Sequence, residues 1–396
     1  MRCRRKEMEP TMRMSKLIIV TVALLTLHVA LRAAAAEQNP GPARKRVVYA
    51  WFPKQVANLE PEGIEWSGIT HLSFRSIVIQ PDGTIQETQP REAVKKLVDE
   101  AHRHGVRAGV LVWGSQPKDA WPDEVGNHSS EYLAKHQDQA VQSLLDYVKA
   151  NNLDCIDIDD ETWREKNSVT GGSNRELITE FFRKLTKAFK TARADYQVFW
   201  DSPPVVSAQD RFPQAWPDYR AIAELIDGFC IMAYMLNPPS IGWATARQPV
   251  SGGGKAAGHP RDCSTCLKDY LEATGGRKEK LVLGVNIDQG GYEWPTKSDQ
   301  PLAHILAKAR PVSPEQARAN AQKYGRRFDP QQKEPWYCYK RGEGWVQGWY
   351  EDDEAFAAKL DLAQEQDIGG VCLWVLDGRN DPRSIFDLTK KYLQRK

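Results

Sequence analysis

The sequence predicts an α/β protein that folds as a (β/α)8 TIM barrel, and three observations support this prediction. Eight short apolar, β-rich runs alternate with helix-like stretches along the 396 residues. Strands that alternate with helices form parallel sheets, and eight such units suit a closed barrel better than an open sheet. No glycine-rich phosphate-binding loop follows an early strand, which disfavours a doubly wound nucleotide-binding fold.

The strands are predicted from runs of apolar and β-branched residues, and the helices from apolar residues that recur every three to four positions. We expect strands at residues 46–51, 69–79, 106–113, 154–159, 197–201, 227–234, 281–287 and 369–374. We expect helices at residues 91–104, 131–151, 174–194, 354–366 and 384–394. The connection at residues 288–348 is long enough for a small insertion between strands 7 and 8.

The amino terminus has the pattern of a secretory signal peptide. Basic residues precede an apolar run from Leu17 to Leu31, and four alanines at positions 33–36 offer a small-residue cleavage site. We therefore expect residues 1–36 to be a signal peptide, residues 37–45 a flexible mature terminus, and residues 46–396 one barrel domain. The destination would be secreted, periplasmic or lysosomal, depending on the host. An uncleaved membrane anchor is the alternative, although the run is short for a transmembrane helix.

Charge composition limits the partners that this protein can have. The chain has 54 Lys and Arg against 52 Asp and Glu, a formal net charge of +2, and seven of the basic residues lie in the expected signal peptide. Nothing resembles a basic patch, so we expect no nucleic-acid partner. After removal of the signal we also expect no membrane association, and we expect a monomer.

Five of the seven cysteines fall into two groups. Cys155, Cys230 and Cys372 each lie in an apolar strand-like run, which is typical of buried packing cysteines. Cys263 and Cys266 form a lone CxxC motif, without the second pair that a zinc ribbon needs. A short local disulfide is plausible in an exported protein, and a redox motif is the less favoured alternative.

An acidic segment at the end of the fourth predicted strand is the strongest functional signal. Asp157, Asp159 and Glu161 are two residues apart, so in a strand they point to one face, while Ile156 and Ile158 point to the other. Crowded carboxyls raise one another's pKa, which is how a general acid is made. A solvated acidic face and a magnesium or calcium site are the alternatives at this point.

Two further strand ends carry aromatic residues towards the same rim. Tyr234 ends the sixth predicted strand, and Trp374 lies near the end of the eighth. Barrel enzymes build their sites from the carboxyl ends of the strands. Either aromatic residue alone would more often belong to the core, but together with the acidic strand they indicate a site.

These three segments resemble the signatures of family 18 glycoside hydrolases. The D-x-x-D-x-D-x-E motif stands as Asp154, Asp157, Asp159 and Glu161, Met-x-Tyr ends at Tyr234, and Gly-Gly-x-x-x-Trp ends at Trp374. The resemblance covers about residues 46–394 and implies a TIM barrel that acts on glycosides of N-acetylglucosamine. The pattern from residues 335–340 to Trp374 looks most similar to the di-N-acetylchitobiase branch, whereas Asp160 gives an Asp-Asp-Glu as in endo-β-N-acetylglucosaminidases.

The resemblance also implies a role for each site residue. Glu161 would protonate the leaving oxygen, Asp159 would hold the substrate acetamide, and Asp157 would share a proton with Asp159. Tyr234 would donate its hydroxyl to the acetamide oxygen. Trp374 would form the floor of the −1 subsite. The candidates for substrate binding at the barrel mouth are Trp374, Met232, Phe74 and Trp51. No metal and no cofactor are implied.

The expected function is hydrolysis of β-1,4-linked N-acetylglucosamine glycosides by a retaining, substrate-assisted mechanism. The expected partner is an N-acetylglucosamine-containing oligo- or polysaccharide such as chitin. An endo-β-N-acetylglucosaminidase of N-glycan cores and a peptidoglycan-directed hydrolase are alternative enzymes. A catalytically weak sugar-binding lectin is the alternative from another class, although the presence of Glu161 favours an enzyme.

Overall fold

Parallel strands close into a barrel in the computed structural model, which describes residues 46–52, 61–114, 125–161, 163–204, 216–253, 261–376 and 382–395. In chain order the elements are β1 (Val47–Phe52), β2 (His71–Ile79), β3 (Ile85–Glu87), α1 (Arg91–Arg103), β4 (Arg107–Gly114), α2 (Val125–Lys135), α3 (Gln137–Ala150), β5 (Cys155–Asp159), α4 (Asn174–Ala192), β6 (Gln197–Ser202), α5 (Tyr219–Ala223), β7 (Gly228–Ile231), α6 (Cys263–Ala273), β8 (Leu281–Asn286), β9 (Gly291–Thr296), β10 (Arg310–Val312), α7 (Pro314–Tyr324), β11 (Arg327–Asp329), β12 (Glu334–Arg341), β13 (Gly344–Tyr350), α8 (Asp353–Glu365), β14 (Gly370–Trp374) and α9 (Arg383–Gln394).

The barrel consists of β1, β2, β4, β5, β6, β7, β8 and β14, paired side by side in that order. Every barrel pairing is parallel, and β14 returns to β1 with Val47 opposite Gly370, so the sheet has no free edge. β3 adds an antiparallel strand to the far part of β2. The predicted (β/α)8 barrel is confirmed.

Side chains alternate between two cores, as the pleat of a strand requires. In β1, Val48, Ala50 and Phe52 belong to the large core between barrel and helices. Tyr49 and Trp51 point instead into the barrel, where they pack in a smaller apolar cluster. The other buried members of this inner cluster are Leu111, Cys155, Phe199, Cys230, Val282 and Cys372. The barrel interior is therefore a packed, low-dielectric environment rather than a pore.

The glycine pair before β14 is explained by close backbone approach. A Cβ built on Gly370 would lie 2.0 Å from the Val47 carbonyl oxygen, and one on Gly369 would lie 2.4 Å from the Glu279 carbonyl oxygen. These separations are far below van der Waals contact, so the last barrel strand accepts only glycine there. The Gly-Gly of the third signature thus serves closure of the barrel.

The expected insertion between barrel strands 7 and 8 is a second sheet. Strands β10, β9, β13, β12 and β11 form an antiparallel five-stranded sheet in that order, and the sheet is accompanied by α7. Its core contains the stacked indoles of Trp336 and Trp349, with ring centroids 5.5 Å apart, together with Trp294. These aromatic residues of the connection therefore form the insertion's own core.

Several sequence predictions need correction. Residues 131–151 are not one helix, because α2 ends at Lys135 and α3 begins at Gln137, with His136 in a non-helical conformation. The sixth barrel strand ends at Ile231 rather than at Tyr234, which lies in a short 3₁₀ turn. Neither change is visible in the apolar pattern. The break at His136 is one residue long and preserves the helical periodicity, and the 3₁₀ turn with Tyr234 follows its strand without an intervening polar residue.

Cys263 and Cys266 lie in the first turn of α6, which the sequence did not predict, and both are free thiols. Both side chains are buried, and the Cys266 Sγ donates to the Pro204 carbonyl oxygen at 2.5 Å. The local disulfide is therefore not formed. Burial raises the pKa of Cys263 to about 12, so this thiol packs rather than reacts.

The predicted signal peptide at residues 1–36 and the mature terminus at residues 37–45 lie outside the described residues. Both stay predictions from the sequence. None of the helices in the described part of the chain combines the length and the apolar character needed to cross a membrane.

A buried ion pair joins the insertion to the barrel helices. The Lys359 Nζ of α8 lies 2.6 Å from the Glu334 Oε1 of β12, and the two side chains are 0% and 1% exposed. Removing one partner of such a pair leaves an uncompensated buried charge, whereas replacing both partners with apolar residues is often tolerated.

We expect Lys359→Met to lower the free energy of unfolding by about 3–5 kcal/mol, because it strands the Glu334 carboxylate in the interior. The double variant Lys359→Met/Glu334→Leu should recover most of that loss. The matched control is Lys184→Met, because Lys184 pairs with Asp138, whose side chain is 87% exposed. The free energy of unfolding of this control variant should fall by less than about 1 kcal/mol. Urea denaturation measures all three, and equal losses in the single and double variants would contradict the prediction.

Candidate active site

The acidic motif is carried by β5 and the turn that follows it. Cys155, Asp157 and Asp159 face the barrel interior, while Ile156 and Ile158 pack in the outer core. Glu161 lies two residues beyond the end of the strand and is exposed. The predicted alternation is confirmed, and it brings two carboxyls into the barrel and a third to its rim.

The first aspartate of the motif has a different position and role. Asp154 precedes β5 and accepts hydrogen bonds from the Ala108 backbone N–H at 3.0 Å and from Arg193 at 2.8 Å. Its other contact is with His102 Nε2, at 2.7 Å. Asp154 therefore fastens the beginning of the strand to its neighbours and lies away from the three carboxyls at the other end.

Asp157 is fully buried inside the barrel. Its Oδ2 accepts a hydrogen bond of 2.7 Å from the indole Nε1 of Trp51. Burial raises the pKa of Asp157, and the indole N–H of Trp51 together with the nearby Asp201 and Tyr49 side chains offsets part of this effect. This carboxyl is held in one orientation by strand β1.

Asp159 is the most crowded carboxyl of the motif. Burial raises its pKa well above the ordinary value, and the charges of Glu161, Asp157 and Asp160 raise it further. Arg75 of β2 acts in the opposite direction. Asp159 therefore keeps its proton to a higher pH than an ordinary aspartate and can release it when a positive charge forms beside it.

Glu161 borders a pocket at the rim of the barrel. The pocket walls include Trp163, Trp200 and Asp201, together with Asp160, Pro203, Trp216, Pro217 and Met232. Partial burial in this pocket raises the pKa of Glu161, and the nearby Asp160 adds to the effect. A carboxyl with a raised pKa at a pocket wall has the properties of a general acid.

Asp160 has a structural partner on the helix side. Its Oδ2 accepts a hydrogen bond of 2.8 Å from the Tyr132 hydroxyl, which in turn accepts one of 3.1 Å from the Trp163 indole. This chain of contacts fixes the turn that presents Glu161.

An aromatic wall lies opposite the carboxyls. The rings of Tyr234 and Trp374 stack with centroids 4.6 Å apart and an interplanar angle of 7°. Trp51 meets both rings edge-on, at 5.7 Å from Trp374 and 6.2 Å from Tyr234. Burial raises the pKa of the Tyr234 hydroxyl, as do Asp201, Asp159 and Glu161, so this hydroxyl is a neutral hydrogen-bond donor.

The position of Tyr234 depends on the insertion. The Asn286 Nδ2 donates to the Tyr234 carbonyl oxygen at 2.7 Å and to the Glu351 Oε1 at 3.2 Å. Arg247 lies 3.7 Å from Glu351 and 2.6 Å from Asp288. The last strand of the insertion is thus connected to the aromatic wall through Asn286.

The structure brings most of the candidate residues together. Asp157, Asp159, Glu161, Tyr234, Trp374, Met232 and Trp51 all lie at or inside the carboxyl end of the barrel. Phe74 does not, because it packs in the outer core with no exposed surface. Its neighbours His71 and Ser73 occupy the inward positions of β2, so the predicted place of Phe74 at the mouth is wrong. Trp51 is also 0% exposed, so it supports the wall rather than facing solvent.

Two residues of the site were missed by the sequence reasoning. Asp201 lies on the inner face of β6, two residues after Phe199, and Arg75 faces Asp159 from β2. The period of two, applied to residues 197–201, would have placed Asp201 inside the barrel. The same period, continued from His71 and Ser73, would have placed Arg75 on the inner face of β2, because the register shift of this strand begins only after Arg75.

Within the described residues, one group of side chains has ligand atoms close enough for a metal ion. These atoms, from Asp157, Asp201 and Cys230, lie within 4.8 Å of one another. Burial raises the pKa of Cys230 well above its usual value, so the sulfur stays a thiol. The two carboxyls are the stronger donors, and they satisfy one another equally well with a shared proton.

Comparisons with known proteins point in one direction. A family model described as Glycosyl hydrolases family 18 matches residues 45–378. A cortical fragment-lytic enzyme of Bacillus anthracis is 29% identical over 322 residues, which are 77% of this chain and 64% of that protein. An enzyme of the same name from Bacillus subtilis strain 168 is 27% identical over 228 residues, which are 55% of this chain and 47% of that protein. The chain thus spans about half to two thirds of the length of these curated relatives.

Solved structures share the fold. A GH18 chitinase from Cycas revoluta in complex with (GlcNAc)4 superposes with a TM-score of 0.70 at 17% identity, covering 87% of this chain and 99% of that one. The Bacillus cereus spore cortex-lytic enzyme SleL gives a TM-score of 0.65 at 20% identity, covering 89% of this chain and 75% of that one. At such identities the likeness concerns the fold alone.

The raised pKa of Asp159 predicts a pH dependence of stability. The unfolded carboxyl titrates near pH 4, as aspartates generally do, so only the folded protein keeps this proton above that pH. The associated stability is complete below about pH 4 and is lost as the pH rises through the folded pKa. We expect Asp159→Asn to reduce the fall in the free energy of unfolding as the pH rises above about 4, measured by urea denaturation. The exposed control Asp138→Asn should follow the wild type; an unchanged slope in Asp159→Asn would refute the prediction.

Proposed function

The chain belongs to glycosyl hydrolase family 18, and from this premise we propose that it is a glycosidase that hydrolyses β-1,4-linked N-acetylglucosamine glycosides with retention of configuration. The observation that carries the proposal is the arrangement of Asp157, Asp159 and Glu161 on one strand. One carboxyl lies at a pocket wall and two lie behind it in the barrel. Chitin-type oligosaccharides are the substrates that we propose first.

The first step is attack by the substrate's own acetamide. The carbonyl oxygen of the 2-acetamido group forms a bond to the anomeric carbon while the glycosidic C–O bond breaks, and Glu161 transfers its proton to the leaving oxygen. Asp159 accepts a hydrogen bond from the acetamide N–H and offsets the positive charge of the resulting oxazolinium. The Tyr234 hydroxyl donates to the acetamide oxygen, and Trp374 packs beneath the sugar. This scheme is an exception to the pair of enzymic carboxyls that most glycosidases use.

The second step returns the enzyme to its starting state. The Glu161 carboxylate takes a proton from water, and the water oxygen attacks the anomeric carbon. The acetamide is restored, and the product keeps the configuration of the substrate. The raised pKa of Glu161 suits both steps, because the group must be protonated in the first and able to accept a proton in the second.

Peptidoglycan is the second candidate substrate. The curated relatives are named cortical fragment-lytic enzymes, and this name favours a peptidoglycan-directed hydrolase over the N-glycan endoglycosidase and the lectin. Mass spectrometry of the products from chitin oligomers, peptidoglycan and high-mannose N-glycopeptide, treated side by side, would distinguish these substrates. Export remains a proposal based on the amino-terminal pattern.

We expect Glu161→Gln to lower kcat by on the order of 10²–10⁴-fold, because it removes the transferable proton and keeps the side-chain shape. Binding of an N-acetylglucosamine oligomer, measured by calorimetry, should be retained. Glu165→Gln, a nearby exposed glutamate, is the matched control and should keep full activity. Near wild-type turnover in folded Glu161→Gln would exclude the assigned role.

Substrate assistance predicts a requirement for the acetamide. An N-acetylated oligomer should be cleaved, whereas its de-acetylated counterpart lacks the nucleophile and should not be. A thiazoline that mimics the oxazolinium should inhibit far more tightly than substrate binds, as transition-state analogues do. NMR in the first minutes should show the β-anomer as the initial product of a β-linked substrate. Equal cleavage of both oligomers, or an initial α-anomer, would overturn the mechanism.

A further inference from the structure

Asp201 lies inside the barrel beside the acidic motif. In the pairing of β6 with β7, Asp201 is opposite Cys230. In the pairing of β5 with β6, Ile158 is opposite Trp200, so the next residues of the two strands, Asp159 and Asp201, are neighbours. The inward residues next to Asp201 are therefore Asp157 and Asp159 on one side and Cys230 on the other. Asp201 is 4% exposed, so water can satisfy little of its carboxyl.

The Asp157 and Asp201 carboxyls are close enough to one another to share a proton. One carboxylate oxygen of each residue lies within 4.8 Å of the other. Asp157 Oδ1 and Asp201 Oδ1 are both buried without a hydrogen-bond partner among the described residues, whereas Asp157 Oδ2 is satisfied by Trp51. Two ionised carboxylates can only accept hydrogen bonds, so the two oxygens satisfy one another only when one of them carries a proton.

We propose that Asp201 is a positioning residue of the proposed glycosidase: it shares one proton with Asp157 throughout turnover and so leaves Asp159 free to ionise against the acetamide. This role rests on the proposed function, and it changes the expected partner of Asp157 from Asp159 to Asp201. A pair that shares one proton carries a single negative charge, and the Asp157 carboxyl is held by both Trp51 and Asp201. Loss of that proton places a second charge next to Asp159 and opposes its ionisation.

Other groups surround the pair and bear on any pH effect. Burial raises the pKa of Asp201 and Asp157, and their mutual contact favours retention of the shared proton. The titratable or charged groups that face the pair from neighbouring elements are Asp159 of β5, Cys230 of β7, Cys372 of β14, Tyr49 of β1, Tyr234 of the 3₁₀ turn, Glu161 of the rim and Arg75 of β2. The thiols and phenols are neutral at the pH of interest, because burial raises the pKa of each one.

The test compares Asp201→Asn with Asp201→Ala. The asparagine amide donates permanently to Asp157 and has no proton to lose, so kcat should stay within about tenfold of the wild type while the alkaline limb of its pH profile moves upwards. The alanine leaves Asp157 without this partner, and kcat should fall about tenfold to a hundredfold with a smaller change in KM. Asp138→Asn is the exposed control, and thermal unfolding checks that each variant is folded.

A readout without substrate separates this proposal from the proposed function. In ¹³C-NMR of protein labelled at the aspartate carboxyls, two coupled carboxyl titrations should be present in the wild type and one should disappear in Asp201→Asn. Coupled titration without activity on any N-acetylglucosamine substrate would overturn the function but not the shared proton. An unchanged pH profile in Asp201→Asn, or full activity in Asp201→Ala, would overturn the proposal. So would loss of activity with EDTA and recovery with Zn²⁺ or Mg²⁺, which would assign the pair to a cation.

Discussion

The structure depends on how four carboxyls are kept close together at the carboxyl end of the barrel. Asp157, Asp159 and Asp201 are buried, and Glu161 borders the same space. In such an environment like charges repel strongly, and each carboxyl is disfavoured in its ionised form. The cluster persists because protons, indole and phenol donors and one arginine lie around it. This crowding lowers the stability of the fold. The same crowding raises the pKa of Glu161 and of Asp159, so that Glu161 can act as a general acid and Asp159 can ionise when a positive charge forms beside it.

The aromatic wall is the counterpart of that cluster. Trp51 holds Asp157 with its indole N–H and supports the stacked rings of Tyr234 and Trp374 with its edge. A single buried residue therefore connects the acidic and aromatic halves of the site. Through Asn286 the wall continues to Glu351 and Arg247, so the inserted sheet contributes to the order of the site without supplying a residue of the acidic motif.

Much of the barrel could be predicted because each unit is a local pattern. A buried parallel strand is a short apolar run, and an amphipathic helix repeats every 3.6 residues, so β5 and α4 are visible in a few consecutive residues. The failures are also local in origin. Phe74 was placed at the mouth because both faces of a barrel strand are buried, so alternation alone does not say which face points into the barrel. The break at His136 leaves the helical periodicity intact on either side, and no glycine or proline marks it in the sequence.

The sequence by itself determined the fold class, the position of the insertion and the three signatures that end at Glu161, Tyr234 and Trp374. These follow from short-range spacing, because period two sends Asp157 and Asp159 to one face wherever the strand is placed. Only the tertiary structure decided that Asp201 lies against Asp157, that Arg75 lies near Asp159, and that Asn286 holds Tyr234. These neighbours come from different strands, and their distances are set by barrel closure and by the register between strands, which no local pattern encodes.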